Sequence, residues 1–231
     1  MIGEKKILAI IPARGGSKGI INKNIIDIEG KPLIEYTIDA AKNSKYIDLV
    51  YVSTDDEKIA DVARKCGIPV PELRPEELAK DETKTIDVVI YTIELLLKKN
   101  LKFDYLILLQ PTQPLRHTFH IDEALEKICN ENCTSLVSVT PVDEHPILMR
   151  TISPEGYLSP VLKTNSTIRR QDFPNYYIVN GAIYINQLSN NFTHDTSFND
   201  NIVPYVMDRK YHLDIDEYFD IELFKLKLKM L

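Results

Sequence analysis

The stretch IIPARGGSKGI, residues 10–20, sets the reading of this chain. It follows an apolar run (Ile7, Leu8, Ala9, Ile10, Ile11) that reads as a buried strand. The chain has only eight glycines, and three of them (Gly15, Gly16, Gly19) fall within five positions here, flanked by Arg14 and Lys18. From 12 to 26 there are three cations, Arg14, Lys18 and Lys23, and no acid. Cations crowded in this way repel one another unless an anion joins them. A glycine-rich turn lets backbone N–H groups approach an oxyanion while nearby cations neutralise its charge. The spacing matches neither the GxxxxGK[ST] of a P-loop nor the GxGxxG of a dinucleotide fingerprint.

Composition narrows the partner. The net charge of −6 argues against general nucleic-acid affinity, since a phosphate-backbone binder shows an extended basic face. A basic loop in an acidic chain points instead to a small anionic ligand held at one place. At 231 residues the chain is long enough for one large domain with a sizeable core, and 1–231 is read as a single domain. No stretch approaches the roughly 18 consecutive apolar residues of a membrane span, so no membrane partner is expected. The first residues hold too short an apolar run for a signal peptide. Cys66, Cys129 and Cys133 are odd in number and lack CxxC spacing, which fits free thiols in a reducing cytoplasm. His117, His120, His145, His194 and His212 show no HxxxH or HExxH spacing and are read as surface or structural residues. GxSxG is absent and no cysteine has a locally supported histidine partner, so covalent catalysis is not expected.

Strand-like and helix-like segments alternate along the chain. Strands are read at 6–11, 48–53, 104–109 and 134–140, and helices at 32–42, 56–66, 85–99 and around 121–129. Asp55 and Asp56 are expected to cap the second helix, and Gly67 to close it. This order predicts an α/β fold, a Rossmann-like, mostly parallel sheet with helices on both faces. The pattern degrades into prolines and polar residues over 141–175, which suits an inserted arm. That arm carries Ile147, Leu148, Met149, Ile152, Tyr157, Leu158, Val161 and Leu162. Leaving such groups in water is costly, so a second subunit is expected to cover them, giving a two-fold dimer. YYIVNGAIYI and IVPYVM restore regularity, and a last helix is read near 216–230, although FKLKLKM also alternates like a strand.

Seven blocks then stand in order: IIPARGGSKGIINKNI (10–25), VSTDDEKIADVA (52–63), LRPEELAKD (73–81), LLQPTQPLR (108–116), RRQDFP (169–174), NGAIYI (180–185) and LDIDEYFD (213–220). Together they resemble the CMP-sialic acid synthetases, or acylneuraminate cytidylyltransferases, nearly end to end. The resemblance implies a nucleotidyltransferase that joins CTP to an acidic nine-carbon α-keto sugar, with Mg²⁺ assisting and pyrophosphate released. It implies that Arg14 and Lys18 hold phosphates, with Lys23 and Asn24 close to the α-phosphate. Asp81 and Thr83 belong to a segment that reads the cytosine, and Gln110 contacts ribose or sugar while Arg116 fixes the loop. Arg170 and Gln171 match a phosphate- or carboxylate-facing pair, and Asn180 and Tyr184 match sugar contacts, Tyr184 being equally suited to the core. Gln113 stands where the family more often has serine.

Asp214 and Asp216 stand two apart in LDID, and in an extended segment side chains two apart share a face. Hard Mg²⁺ takes carboxylate oxygens together with substrate phosphates and water, and in similar enzymes this pair organises the metal. Asp216 also suits the N-cap of the last helix. Two other readings remain open. A CMP-KDO synthetase-like enzyme keeps the chemistry and changes the acceptor, although its loop typically reads STRLPGKP. A non-catalytic sugar-nucleotide sensor keeps the fold, although it need not retain both aspartates.

Overall fold

In the computed structural model, which describes residues 2–164, 167–189 and 191–231, the apolar run of the opening stretch is the inner strand β1, Ile7–Pro12. A two-stranded ribbon, β2 (Asp27–Ile28) and β3 (Lys31–Pro32), leads into helix α1 (Leu33–Lys42). Strand β4 (Leu49–Ser53), helix α2 (Glu57–Lys65), helix α3 (Thr85–Lys98), strand β5 (Tyr105–Leu108), helix α4 (Thr118–Asn130) and strand β6 (Ser135–Pro141) follow. Asp56 caps α2 by accepting from Lys58 N–H and Ile59 N–H. Asp55 does not join it, because its carboxylate turns to the glycine loop and accepts from Gly15 N–H at 3.2 Å.

The sheet has six strands in the order β10-β6-β9-β5-β1-β4, where β9 is Tyr177–Gln187 and β10 is Val203–Val206. The pairs β1–β4, β1–β5 and β6–β10 are parallel, and β9 runs antiparallel between β5 and β6. Alternation along β1 assigns its side chains to two cores. Ile7, Ala9 and Ile11 meet α1, α2 and α4 on one face, while Leu8 and Ile10 meet α3 on the other. A third core gathers Ile20, Ile28, Leu33, Leu115, Leu213 and Ile215 under helix α5, Tyr218–Leu228. The terminal segment is therefore helical, and the alternation of FKLKLKM serves no strand.

The 141–175 segment is less irregular than its sequence suggests. Strands β7 (Arg150–Ile152) and β8 (Leu158–Pro160) pair antiparallel as a separate hairpin. Ile147 is buried, whereas Leu148, Met149, Ile152, Tyr157, Leu158 and Val161 face solvent.

At the start of α4, His120 is buried against Phe119 and Tyr211, and its Nδ1 accepts from His117 N–H at 3.0 Å. Burial, with help from His117 and Arg116, pushes its pKa down to about 3. An unfolded histidine takes a proton near pH 6.5, so between about 6.5 and 3 the unfolded chain binds the extra proton. Stability should therefore fall through that window as pH drops, by about 1.4 kcal/mol per pH unit from this group. Urea titrations at pH 7.5, 5.5 and 4.5 should show a shallower decline in His120→Asn than in wild type. Equal slopes would mean that His120 titrates normally.

Candidate active site

Parallel strands β1, β4 and β5 end at one edge of the sheet, where doubly wound folds gather ligand-binding loops. The glycine loop follows β1, Thr54 and Asp55 follow β4, and Gln110 follows β5. Between them opens a cleft of about 440 Å³. Arg14, Lys18, Lys23, Arg74 and Lys80 line it against only Asp81 and Asp216, an excess of positive charge that suits a polyanion. Asn24, Thr83 and Gln110 also line it, so eight of the residues read from sequence converge here.

The three cations of the opening stretch are each held by a partner far away in the chain. Asp81 joins Arg14 at 2.6 Å and Lys18 at 2.7 Å. Lys23 donates to the Ile215 carbonyl at 2.8 Å and to Asp216 Oδ1 at 3.0 Å. The buried Asn24 donates to the Arg14 carbonyl at 2.9 Å, tying the end of the loop to its start. Gly19 is required for a different reason from anion approach: a Cβ there would sit 2.4 Å from the Asp216 carbonyl oxygen. The glycine brings the loop against the segment bearing the two aspartates.

Arg74 belongs to this set and was not singled out from sequence. Its side chain is 4% exposed, its guanidinium bonds Asp55 at 3.3 Å, and its buried Nε has no hydrogen-bond partner among the described residues. The signal available was an arginine in LRPEELAKD, but only burial distinguishes it from a surface cation.

A second cleft of about 530 Å³ adjoins the first, and Thr85 and Gln110 line both. Tyr184 faces it, with its hydroxyl 3.2 Å from Asn199 Oδ1, alongside Lys84, His194 and Ser197. Asn180 lines neither cleft. It is buried, accepting from Ser138 Oγ at 2.5 Å and from Ala182 N–H, and it stitches β9 to β6 at a bulge. Gly181, at φ +74°, completes that bulge, and a Cβ on it would meet Gln110 Oε1 at 2.7 Å. The NGAIY stretch thus seats Gln110 from below. Arg170 and Gln171 sit on an exposed turn of the arm and line neither cleft of their own chain.

Asp214 and Asp216 are both exposed and flank the buried Ile215; Asp216 lines the first cleft, whereas Asp214 lines neither. Although Asp214 still reaches solvent, desolvation by its surroundings raises its pKa; a hydrogen bond from Thr112 opposes the shift and the charge of Asp216 adds to it. Among the described residues, no group of three or more His, Cys, Asp or Glu side chains is gathered for a metal ion. Two carboxylates with substrate phosphates and water nevertheless form a donor set that Mg²⁺ accepts.

Fold and cleft together define an α/β domain with a cationic cleft at the ends of its parallel strands. A family model described as cytidylyltransferase matches residues 8–194, and the chain belongs to that family. It is 36% identical over 218 residues to an N-acylneuraminate cytidylyltransferase of Streptococcus agalactiae, covering 91% of this chain and 50% of that protein. The chain thus spans about half the length of that relative. It is 44% identical over 184 residues to the CMP-N,N'-diacetyllegionaminic acid synthase of Legionella pneumophila, covering 78% of this chain and 77% of the relative. It is 35% identical to the pseudaminic acid cytidylyltransferase of Campylobacter jejuni over 97% of both chains. A solved CMP:2-keto-3-deoxy-manno-octonic acid synthetase complexed with CTP shares the fold, with a TM-score of 0.72 at 19% identity over 98% of this chain and 100% of that one.

Arg116 holds the Gln110 loop. Fully buried, it donates to the carbonyls of Gln110, Gln113 and Ala182 and to the Thr37 hydroxyl. Burial pulls its pKa down to about 9, which leaves it cationic at neutral pH. Arg116→Met strands those acceptors in the core and should cost about 3–5 kcal/mol in urea unfolding. Unchanged stability would show that the loop is held by other contacts.

Proposed function

We propose that the protein is a Mg²⁺-dependent cytidylyltransferase that transfers CMP from CTP to the anomeric hydroxyl of a sialic-acid-like nonulosonic acid. The observation that carries this reading is the pair of adjoining clefts, one strongly cationic and one polar, with Gln110 and Thr85 common to both. A triphosphate in the first and a polyhydroxylated acceptor in the second would meet at that shared wall. The acceptor oxygen bonds to the α-phosphorus, the α–β anhydride bond breaks, and pyrophosphate leaves.

Arg14 and Lys18 neutralise the phosphates. Lys23, anchored on Ile215 and Asp216, supplies fixed positive charge near the α-phosphate, where charge grows in the transition state. Holding donor and acceptor side by side supplies the alignment that in-line attack needs. The segment with Thr83 and Thr85, with Arg74 behind it, forms the wall for the base, and Tyr184 faces the acceptor. Asp214 and Asp216 would hold Mg²⁺, which when bound neutralises phosphate charge. A CMP-KDO-like acceptor is the second reading, supported by the shared fold alone. No helix among the described residues is long and apolar enough to cross a membrane, and a cytoplasmic enzyme using CTP is consistent with that. The acidic chain and the confined basic cleft argue against nucleic acid as a partner.

The exposed apolar arm supports a homodimer. Ile152, Tyr157 and Leu158 stay about 70% exposed in one chain, and Arg170 and Gln171 lie beyond its own clefts. Each arm would reach the acceptor cleft of its partner and deliver that pair there, where a guanidinium can bind both oxygens of a carboxylate.

Pyrophosphate release measured with CTP, UTP, ATP and GTP against a panel of acidic sugars should show turnover with CTP and a nonulosonic acid, lost in excess EDTA. Comparable turnover with UTP, or full activity in EDTA, would overturn the reading. Light scattering at micromolar concentration should report about twice the chain mass. A monomer that keeps full activity on dilution would remove both the dimer and the shared site.

A further inference from the structure

Asp81 spreads one carboxylate across the two cations of the glycine loop. Its Oδ1 lies 2.6 Å from Arg14 Nη1 and its Oδ2 lies 2.7 Å from Lys18 Nζ. A phosphate group offers the same pattern, two oxygens that accept from two cationic donors. The cluster faces solvent, with the Asp81 side chain 46% and that of Lys18 76% exposed, so it can open at small cost. Two other cleft cations are fixed differently: Lys23 is also anchored on a backbone carbonyl, and Arg74 is buried. Both cations hold Asp81 below the usual carboxylate range, Lys18 most, so it stays charged at neutral pH.

We infer that Asp81 is an internal counter-ion that occupies the donors of Arg14 and Lys18 when no nucleotide is bound and competes with phosphate oxygens for them. It relieves the repulsion within a loop that has no acid of its own, and it lowers the affinity of the cleft for triphosphate and pyrophosphate alike. When pyrophosphate departs, the carboxylate recaptures both cations. The inference rests on the cationic cleft being the triphosphate site. It differs from a role in reading the base, and the two make opposite predictions.

The test is calorimetric titration of inorganic pyrophosphate, and separately of CTP, into wild type, Asp81→Asn and Asp81→Ser without added metal. Competition predicts that both variants bind pyrophosphate roughly threefold to tenfold more tightly, the scale of losing exposed ion pairs. It also predicts that Lys18→Ala weakens pyrophosphate binding more in the Asp81→Asn background than alone, a coupling read from the double-mutant cycle. Unchanged or weaker pyrophosphate binding by variants that melt like wild type overturns the inference and leaves the cytidylyltransferase reading standing. Weaker CTP binding with unchanged pyrophosphate binding would make Asp81 a nucleoside contact and also overturns it. If wild type binds neither probe, with or without added Mg²⁺, the cleft is not a triphosphate site and both readings fall.

Discussion

The structure around the cleft depends on long-range charge compensation. Arg14, Lys18 and Lys23 lie in a stretch that contains no acid, and the acids that answer them come from distant elements. Asp81 precedes α3, Asp216 precedes α5, and Asp55, which follows β4, holds both Gly15 N–H and Arg74. These pairings bring the ends of β1 and β4 and the approaches to two helices onto one rim. None of them contributes much to stability where it is exposed. Their effect is positional: the cations share one cavity and do not scatter over the surface.

Behind that exposed layer the fixed points are buried. Arg116 ties the loop after β5 to α1 and β9 through four acceptors, and no carboxylate accompanies it. Asn180 and Gly181 shape the bulge on which Gln110 rests. Gln110, which lines both clefts, is therefore positioned from two sides by residues that line neither. A solvent-exposed cationic rim over a buried, hydrogen-bonded floor suits a site that must admit a large, highly charged substrate and then hold two reactants in register.

Much of this was legible in the sequence. The alternation of apolar runs and amphipathic helices gave the α/β class, and the glycine–cation stretch located the cleft, because both signals are local. What escaped was set by tertiary contact. Asp55 and Asp56 are adjacent acids before a helix, and only the proximity of Gly15 separates their roles. Asn180 looks like a ligand contact in a polar–glycine dipeptide, yet a bulge in β9 turns it toward Ser138. Arg74 and Arg170 are both arginines in proline-containing blocks, and burial alone marks the first as part of this chain's own cleft. The hairpin inside the arm was hidden because its strands are three residues each, too short for a period-two pattern to register.

The antiparallel β9 has a consequence for synthesis. Residues up to 141 can complete β4-β1-β5 on one side and deliver β6 on the other, but these pieces share no ladder until β9 enters between them. A chain emerging from the ribosome therefore leaves the facing edges of β5 and β6 unpaired for the whole time needed to make the arm, and the outer edge of β6 waits longer still, for β10. Open apolar edges are the sites at which nascent chains pair wrongly with one another. The strand that closes the gap is eleven residues long and carries the Asn180–Gly181 bulge, so its register is specified by more than hydrophobic alternation. Joining of the two pieces and seating of Gln110 then depend on the same strand, before β10 adds the last edge.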